Sequence, residues 1–147
     1  MIYVEKDITT VQAPALIAQG VNCRNAMGSG VARALYMKWP VVKAMYHKEG
    51  SMRLGDAQFV EVEDDLMVAN CFTQYDYGRD GEVYASRSAI KMALSTAACV
   101  AMDRGLDKVH LPRIGCGLGG LDWEQDVVPL LLEIEKHAPI NFVVCDV

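Results

Sequence analysis

The sequence has no CxxC pair, no apolar run as long as a membrane span and no excess of basic charge. Its five cysteines, Cys23, Cys71, Cys99, Cys116 and Cys145, are odd in number and dispersed, which argues against both a disulfide framework and a zinc site. A reducing, cytoplasmic compartment is the economical reading. Glu5, Lys6 and Asp7 interrupt the N-terminal apolar residues, so neither a signal peptide nor a membrane partner is expected. The formal net charge of −5 gives no electrostatic reason for nonspecific nucleic-acid binding. A negatively charged ligand must then be held by local donors. The histidines are His47, His110 and His137, and their placement implies neither Ser/His/Asp nor Cys/His chemistry. No metal-ligand spacing occurs, so neither a metal nor a cofactor is implied. Neither GxGxxG with a following acidic residue nor GxxxxGK[ST] is present, which leaves Rossmann and P-loop readings weak.

What is present is a chain of 147 residues, 52% hydrophobic and 22% charged, enough for a single domain over residues 1–147 with a sizeable core. Short apolar runs predict strands over residues 1–4 and 15–18, separated by a polar turn. From Gly30 the spacing becomes helical, with Val31, Ala34, Leu35 and Lys38 on one face, and Pro40 ends or kinks that helix before a second over 41–48. A strand pair follows over 57–62 and 66–72, joined by the acidic turn Glu63-Asp64-Asp65. Beyond a polar segment, 73–82, the longest helix spans 83–103, with Ile90, Leu94, Ala97 and Ala101 as its buried stripe and Gly105 as its cap. A strand over 108–113, a helix over 121–137 and a strand over 140–146 complete the chain. This alternation predicts an α/β fold of three α/β/α layers, with a mixed, largely parallel central sheet of about six strands.

Two glycine-rich loops lie where strands run into helices. The downstream loop, Arg113-Ile114-Gly115-Cys116-Gly117-Leu118-Gly119-Gly120, follows a strand and precedes a helix; the upstream loop runs from Asn22 through Gly28, Ser29, Gly30 and Val31. Glycine permits positive φ and close approach of backbone N–H groups to an anion, and each following helix adds its N-terminal dipole. In parallel sheets ligands sit outside the carboxyl ends of strands, so the pair of loops reads as a two-sided phosphate cradle. A tight strand-to-helix turn is the competing reading for either loop alone. Asn22 suits a ribose hydroxyl pair or an Asx turn, and Asp7 suits an exocyclic amine or an N-cap for Ile8-Thr9-Thr10. Cys116 has no obvious base partner and reads as a small loop residue.

These residues resemble the macrodomain family, the ADP-ribose-binding α/β modules. The likeness spans nearly the whole chain and rests on Lys6-Asp7-Ile8, on residues 20–22 and 27–32, and on residues 111–123. It is similar in particular to the branch holding terminal ADP-ribose protein glycohydrolase, the DNA ADP-ribosyl glycohydrolase antitoxins and the ADP-ribose-1″-phosphate phosphatases. The resemblance implies adenine contacts at Asp7, Ile8 and Val147. It implies a diphosphate held by Gly28, Ser29, Gly30 and Val31 and by Gly115, Cys116, Gly117, Leu118 and Gly119, with Arg113 and Ile114 beside them. Asn22 and Gln74 then lie near the distal ribose.

The chain departs from that branch where chemistry is expected. Gln74 stands at the position of the glycohydrolase lysine, Gly119 at that of its aspartate, and Gln19 at that of the phosphatase histidine. An amide cannot form the covalent adduct that a lysine forms with an opened ribose. The remaining catalytic candidates are Asn22, Asn25 and Asp122, with Asp76 and Asp80 nearby, positioning or activating a water. Asp122 also fits a first-turn helix role. The favoured expectation is a phosphatase acting on ADP-ribose-1″-phosphate. The alternatives are a non-catalytic ADP-ribose reader, or a hydrolase of ADP-ribosyl or O-acetyl-ADP-ribose bonds without the lysine–aspartate pair. The expected partners are ADP-ribose or a derivative, and an ADP-ribosylated macromolecule.

Overall fold

A computed structural model of the chain describes every residue other than Ser29, Gly50, Ser51 and Arg79. Six strands form one sheet: β1 (Ile2–Glu5), β2 (Ala15–Asn22), β3 (Ala57–Glu63), β4 (Leu66–Gln74), β5 (Lys108–Leu111) and β6 (Asn141–Asp146). Their spatial order is β1-β6-β5-β2-β4-β3. Every neighbouring pair is parallel apart from the β3–β4 hairpin. Helices α1 (Gly30–Lys38) and α2 (Val41–Glu49) cover one face, and α3 (Arg87–Asp103) and α4 (Val128–His137) cover the other. This is the three-layer, largely parallel arrangement that the alternation of elements predicts.

The central strands are buried on both faces, which is why they read as continuous apolar runs. Leu16, Ala18, Phe142 and Val144 pack against Ile90, Leu94, Ala97 and Leu131 on the α3/α4 side. Ile17, Val68 and Val143 pack against Leu35, Val42 and Tyr46 on the α1/α2 side. No helix among the described residues is long and apolar enough to cross a membrane.

The strands expected over 15–18 and 66–72 run on to Asn22 and Gln74, and three further boundaries differ from the sequence expectation for local reasons. Helix α3 begins at Arg87 rather than at residue 83. The N–H groups of Tyr84 and Ala85 donate to the Gly119 carbonyl at 2.9 and 3.0 Å, which ties this segment to the downstream loop, and the Ser86 hydroxyl caps the helix through Ala89 N–H at 3.2 Å. The expected helix over 121–137 is divided. A π-helical turn, Trp123–Val127, precedes α4, whose first turn carries Pro129 where a missing N–H is harmless. Strand β5 stops at Leu111 because Pro112 has no N–H to give the ladder.

Asp122 lies at the start of the π-helical turn. Its carboxylate accepts from Gln125 N–H at 2.8 Å, and its own N–H donates to the Asp126 carboxylate at 2.8 Å. The sequence suggested a first-turn helix position for Asp122; it stands one residue earlier, in extended conformation, as the N-cap. Replacing Asp122 with Ala removes that acceptor and is expected to lower unfolding stability in urea by about 1 kcal/mol.

Candidate functional site

Strands β2, β4 and β5 run in one direction, so their carboxyl ends reach one edge of the sheet. Both glycine loops leave from that edge and face each other across a cleft of about 730 Å³. Gly20 lies in its floor, where a Cβ would stand 2.7 Å from the Thr73 hydroxyl oxygen, so a side chain there would force the floor apart. A shallower cavity of about 250 Å³, lined by Asp7, Ile8, Cys145 and Val147, continues the cleft and shares Gly30, Val31 and Pro112 with it. The two together make a trough that starts beside β6, passes between the loops and ends over β2 and β4.

The downstream loop is folded tightly on itself and opens only at its tip. Gly115 and Gly120 have φ of 81° and 83°, conformations that few other residues adopt. The Gly115 carbonyl accepts from Leu121 N–H at 3.0 Å. The N–H groups of Gly117, Leu118 and Gly119, all in the cleft wall, find no acceptor among the described residues. At Gly117 a Cβ would meet nothing within 4 Å, whereas at Gly119 it would lie 2.6 Å from the Gly115 carbonyl oxygen. The aspartate found there in the resembling glycohydrolase therefore has no room on this backbone.

Neighbouring side chains of this loop are engaged elsewhere. Burial pushes the Cys116 thiol up to about 11, and its sulfur lies 3.4 Å from the Ile114 carbonyl oxygen, so at neutral pH it is a thiol rather than a nucleophilic thiolate. Arg113 lines the cleft, but its guanidinium donates twice to Asp146, at 3.0 Å each, and lies 5.8 and 5.6 Å from the ring centres of Tyr3 and Trp123. The same pair of bonds raises the Arg113 pKa and holds the Asp146 carboxyl below the usual carboxylate range.

The upstream loop is organised by Asn22. Its side-chain oxygen accepts from Arg24 N–H at 3.0 Å and Ala26 N–H at 3.2 Å, its NH₂ donates to the Ala26 carbonyl at 2.7 Å, and the Tyr46 hydroxyl donates to the Asn22 backbone carbonyl at 2.7 Å, 3.0 Å from the side-chain oxygen. Asn22 thus closes an Asx-type turn, and its amide is committed to the loop rather than held out to a ligand. Burial of Tyr46 raises its hydroxyl to about 12 and keeps it a donor. Asn25 has φ of 58°, and its side-chain oxygen meets His47 Nδ1 at 2.8 Å. Gly28 faces open space and Gly30 has φ of 63°; Ser29 lies outside the described residues.

Of the residues singled out in the sequence, Asn22, Gln74, Gly28, Gly30, Val31, Arg113, Ile114, Gly115, Gly117, Leu118 and Gly119 share the cleft wall. Asp7, Ile8 and Val147 gather at the second cavity, where Asp7 also accepts from Thr9 N–H at 2.9 Å as the cap of the 3-10 turn Ile8–Thr10. The carboxylates expected to act on water lie elsewhere. Asp122 caps its helix, Asp76 receives Tyr77 N–H at 2.8 Å, and Asp80 receives the Tyr84 hydroxyl at 2.8 Å. Gln74 donates to the Asp76 carbonyl at 2.8 Å. Tyr77 also lines the cleft, from the polar segment that the sequence offered as a cover for the ligand or a solvated loop; Lys43 and His47 line it too and were not singled out as ligand contacts. Lys43 and His47 are four residues apart, a spacing that places both on one face of α2 and was available in the sequence. Alkylation with iodoacetamide at neutral pH is expected to label the exposed Cys99 well before Cys116, as read by mass spectrometry of the digested protein.

The family model for the Macro domain matches residues 18–128. A macrodomain protein from Streptomyces coelicolor is 32% identical, with 99% of this chain and 98% of that chain aligned at a TM-score of 0.83. An uncharacterised 17.5 kDa protein from the tk-vs intergenic region of Enterobacteria phage T4 is 27% identical over 127 residues, 83% of this chain and 82% of that protein. The fold is shared as well with Thermosipho africanus DarTG, solved in complex with ADP-ribose, at 19% identity and a TM-score of 0.72, over 92% of this chain and 39% of that one. The matched region begins inside β2, ends at the start of α4 and contains both glycine loops, and on that match the chain belongs to the Macro domain family.

Proposed function

We propose that the trough binds ADP-ribose or a derivative of it, with the adenine at the second cavity, the diphosphate between the two glycine loops and the distal ribose over β2 and β4. The observation that carries this reading is the set of N–H groups at Gly117, Leu118 and Gly119 that find no acceptor among the described residues, on residues that share the wall of one continuous trough with the upstream loop. Such amides hold a diphosphate without a basic surface, as a chain of net charge −5 requires. The Thermosipho africanus DarTG complex shows ADP-ribose bound by a protein that includes this fold, which supports the assignment.

Because a Cβ at residue 117 would meet nothing within 4 Å, Gly117→Glu leaves the fold intact and puts a carboxylate where the diphosphate would lie. Calorimetry with ADP-ribose is expected to give one ligand per wild-type chain and no detectable binding by Gly117→Glu, with the melting curve unchanged. Undiminished binding by the variant contradicts the diphosphate assignment.

One observation favours hydrolysis as a second reading. Asn25 Oδ1 can only accept, so His47 Nδ1 carries the proton, and in the neutral ring Nε2 keeps a lone pair on a residue of the cleft wall. That pair can take a proton from a water whose oxygen bonds to the phosphorus at the 1″ position as the bond from phosphorus to the ribose oxygen breaks and ADP-ribose leaves with a proton from solvent, a role that Asn22 and Asp122, engaged in the loop and the cap, do not offer. Phosphate release from ADP-ribose-1″-phosphate by the wild type, and a loss of about 100-fold in His47→Ala with ADP-ribose affinity kept, is the expected outcome. ADP-ribose binding without phosphate release selects a reader, or a hydrolase of ADP-ribosyl or O-acetyl-ADP-ribose bonds, which those substrates separate.

A further inference from the structure

Beneath the β2–β4 end of the cleft, three buried amides form a relay across the sheet. Gln19 on β2, Asn70 on β4 and Gln58 on β3 are 1%, 0% and 7% exposed and stand in register across the three strands. Gln19 Nε2 donates to Asn70 Oδ1 at 2.8 Å, Asn70 Nδ2 to Gln58 Oε1 at 3.0 Å, and Gln58 Nε2 to the Met45 carbonyl at 2.8 Å. Asn70 Nδ2 also approaches the Val42 carbonyl at 3.4 Å.

The direction of the relay is fixed at its α2 end. Both backbone carbonyls there can only accept, so NH₂ groups must face them, and reversing any one amide would set two oxygens, or two NH₂ groups, against each other. The atom left over at the other end is therefore the Gln19 carbonyl oxygen. Oε1 is buried and has no hydrogen-bond donor among the described residues, although Gln19 is part of the cleft wall. Buried polar groups are almost always paired, and a chain of aligned amides strengthens the acceptor at its end.

Resting on the reading of the trough as an ADP-ribose site, we infer that Gln19 Oε1 is the acceptor for a hydroxyl of the distal ribose, which makes Gln19 the residue that distinguishes ADP-ribose from ADP. Its position fits. The base cavity lies by β6, and Gln19 is at the opposite end of the trough, on β2 beside β4, with His47 in the same wall. A carbonyl oxygen there welcomes an O–H donor and repels a phosphate or carboxylate oxygen, so it reads the sugar and not the charge.

Calorimetry of the wild type and Gln19→Met with ADP-ribose and with ADP tests this. Gln19→Met is expected to lose about tenfold in ADP-ribose affinity, with ADP affinity unchanged. An unchanged ratio of the two affinities overturns the inference. Because the substitution also leaves Asn70 Oδ1 without its donor, a second measurement uses the unaltered protein. The Gln19 side-chain NH₂ resonances should move in the NMR spectrum on addition of ADP-ribose and stay in place with ADP; equal behaviour with both ligands overturns the inference. Failure of the wild type to bind ADP-ribose removes the site reading and this inference together, whereas binding without the ADP-ribose-specific effects removes this inference alone.

Discussion

The parallel pairing of β2 with β4 and β5 is the constraint on which the site depends. Parallel strands bring their carboxyl ends to one edge, and here that edge receives the Asn22 turn, the polar segment after β4 and the downstream glycine loop. Antiparallel pairing of β2 with β5 would send the two glycine loops to opposite ends of the molecule. Burial on both faces in turn enforces the pairing, because α1 and α2 cover one side of the sheet while α3 and α4 cover the other.

On that frame, polar side chains do two separate jobs. Some fix backbone: Asn22 closes the upstream loop, Ser86 and Asp122 cap helices, and Asp146 holds Arg113 beside Tyr3 and Trp123. Their hydrogen-bonding capacity is directed at the protein, so in the proposed binding mode a phosphate is met by backbone amides of the glycine loops. Two residues of the cleft wall are only partly engaged: His47 is held through Nδ1, and Gln19 Oε1 is buried without a donor among the described residues. Under the proposed reading, this division lets an acidic chain hold an anion without a basic patch.

The fold was legible in the sequence because apolar runs and helical spacing respond to burial, and burial dominates here. The lengths of the elements were less legible. The start of α3 depends on two hydrogen bonds to Gly119, thirty-five residues from Tyr84 and thirty-four from Ala85 along the chain, and local spacing carries no trace of that contact. The glycine loops were visible as composition, and their facing arrangement followed from the parallel order. What the sequence could not tell was which polar residues would be engaged by neighbours. Asn22, Asn25 and Asp122 share the residue types suited to water activation, but only the structure shows the first closing a turn, the second holding His47 and the third capping a helix. The room at each glycine was hidden for the same reason: Gly117 and Gly119 look alike in sequence, yet one faces open space and the other a carbonyl 2.6 Å from where its Cβ would be.

The most direct measurement is a crystal structure of the wild-type protein grown with ADP-ribose. The predicted result is density for the diphosphate between residues 28–31 and 115–119, with its oxygens within hydrogen-bond distance of the N–H groups of Gly117, Leu118 and Gly119, and the adenine beside Asp7, Ile8 and Val147. Ligand density away from the two glycine loops, or an empty trough at saturating ADP-ribose, would contradict it.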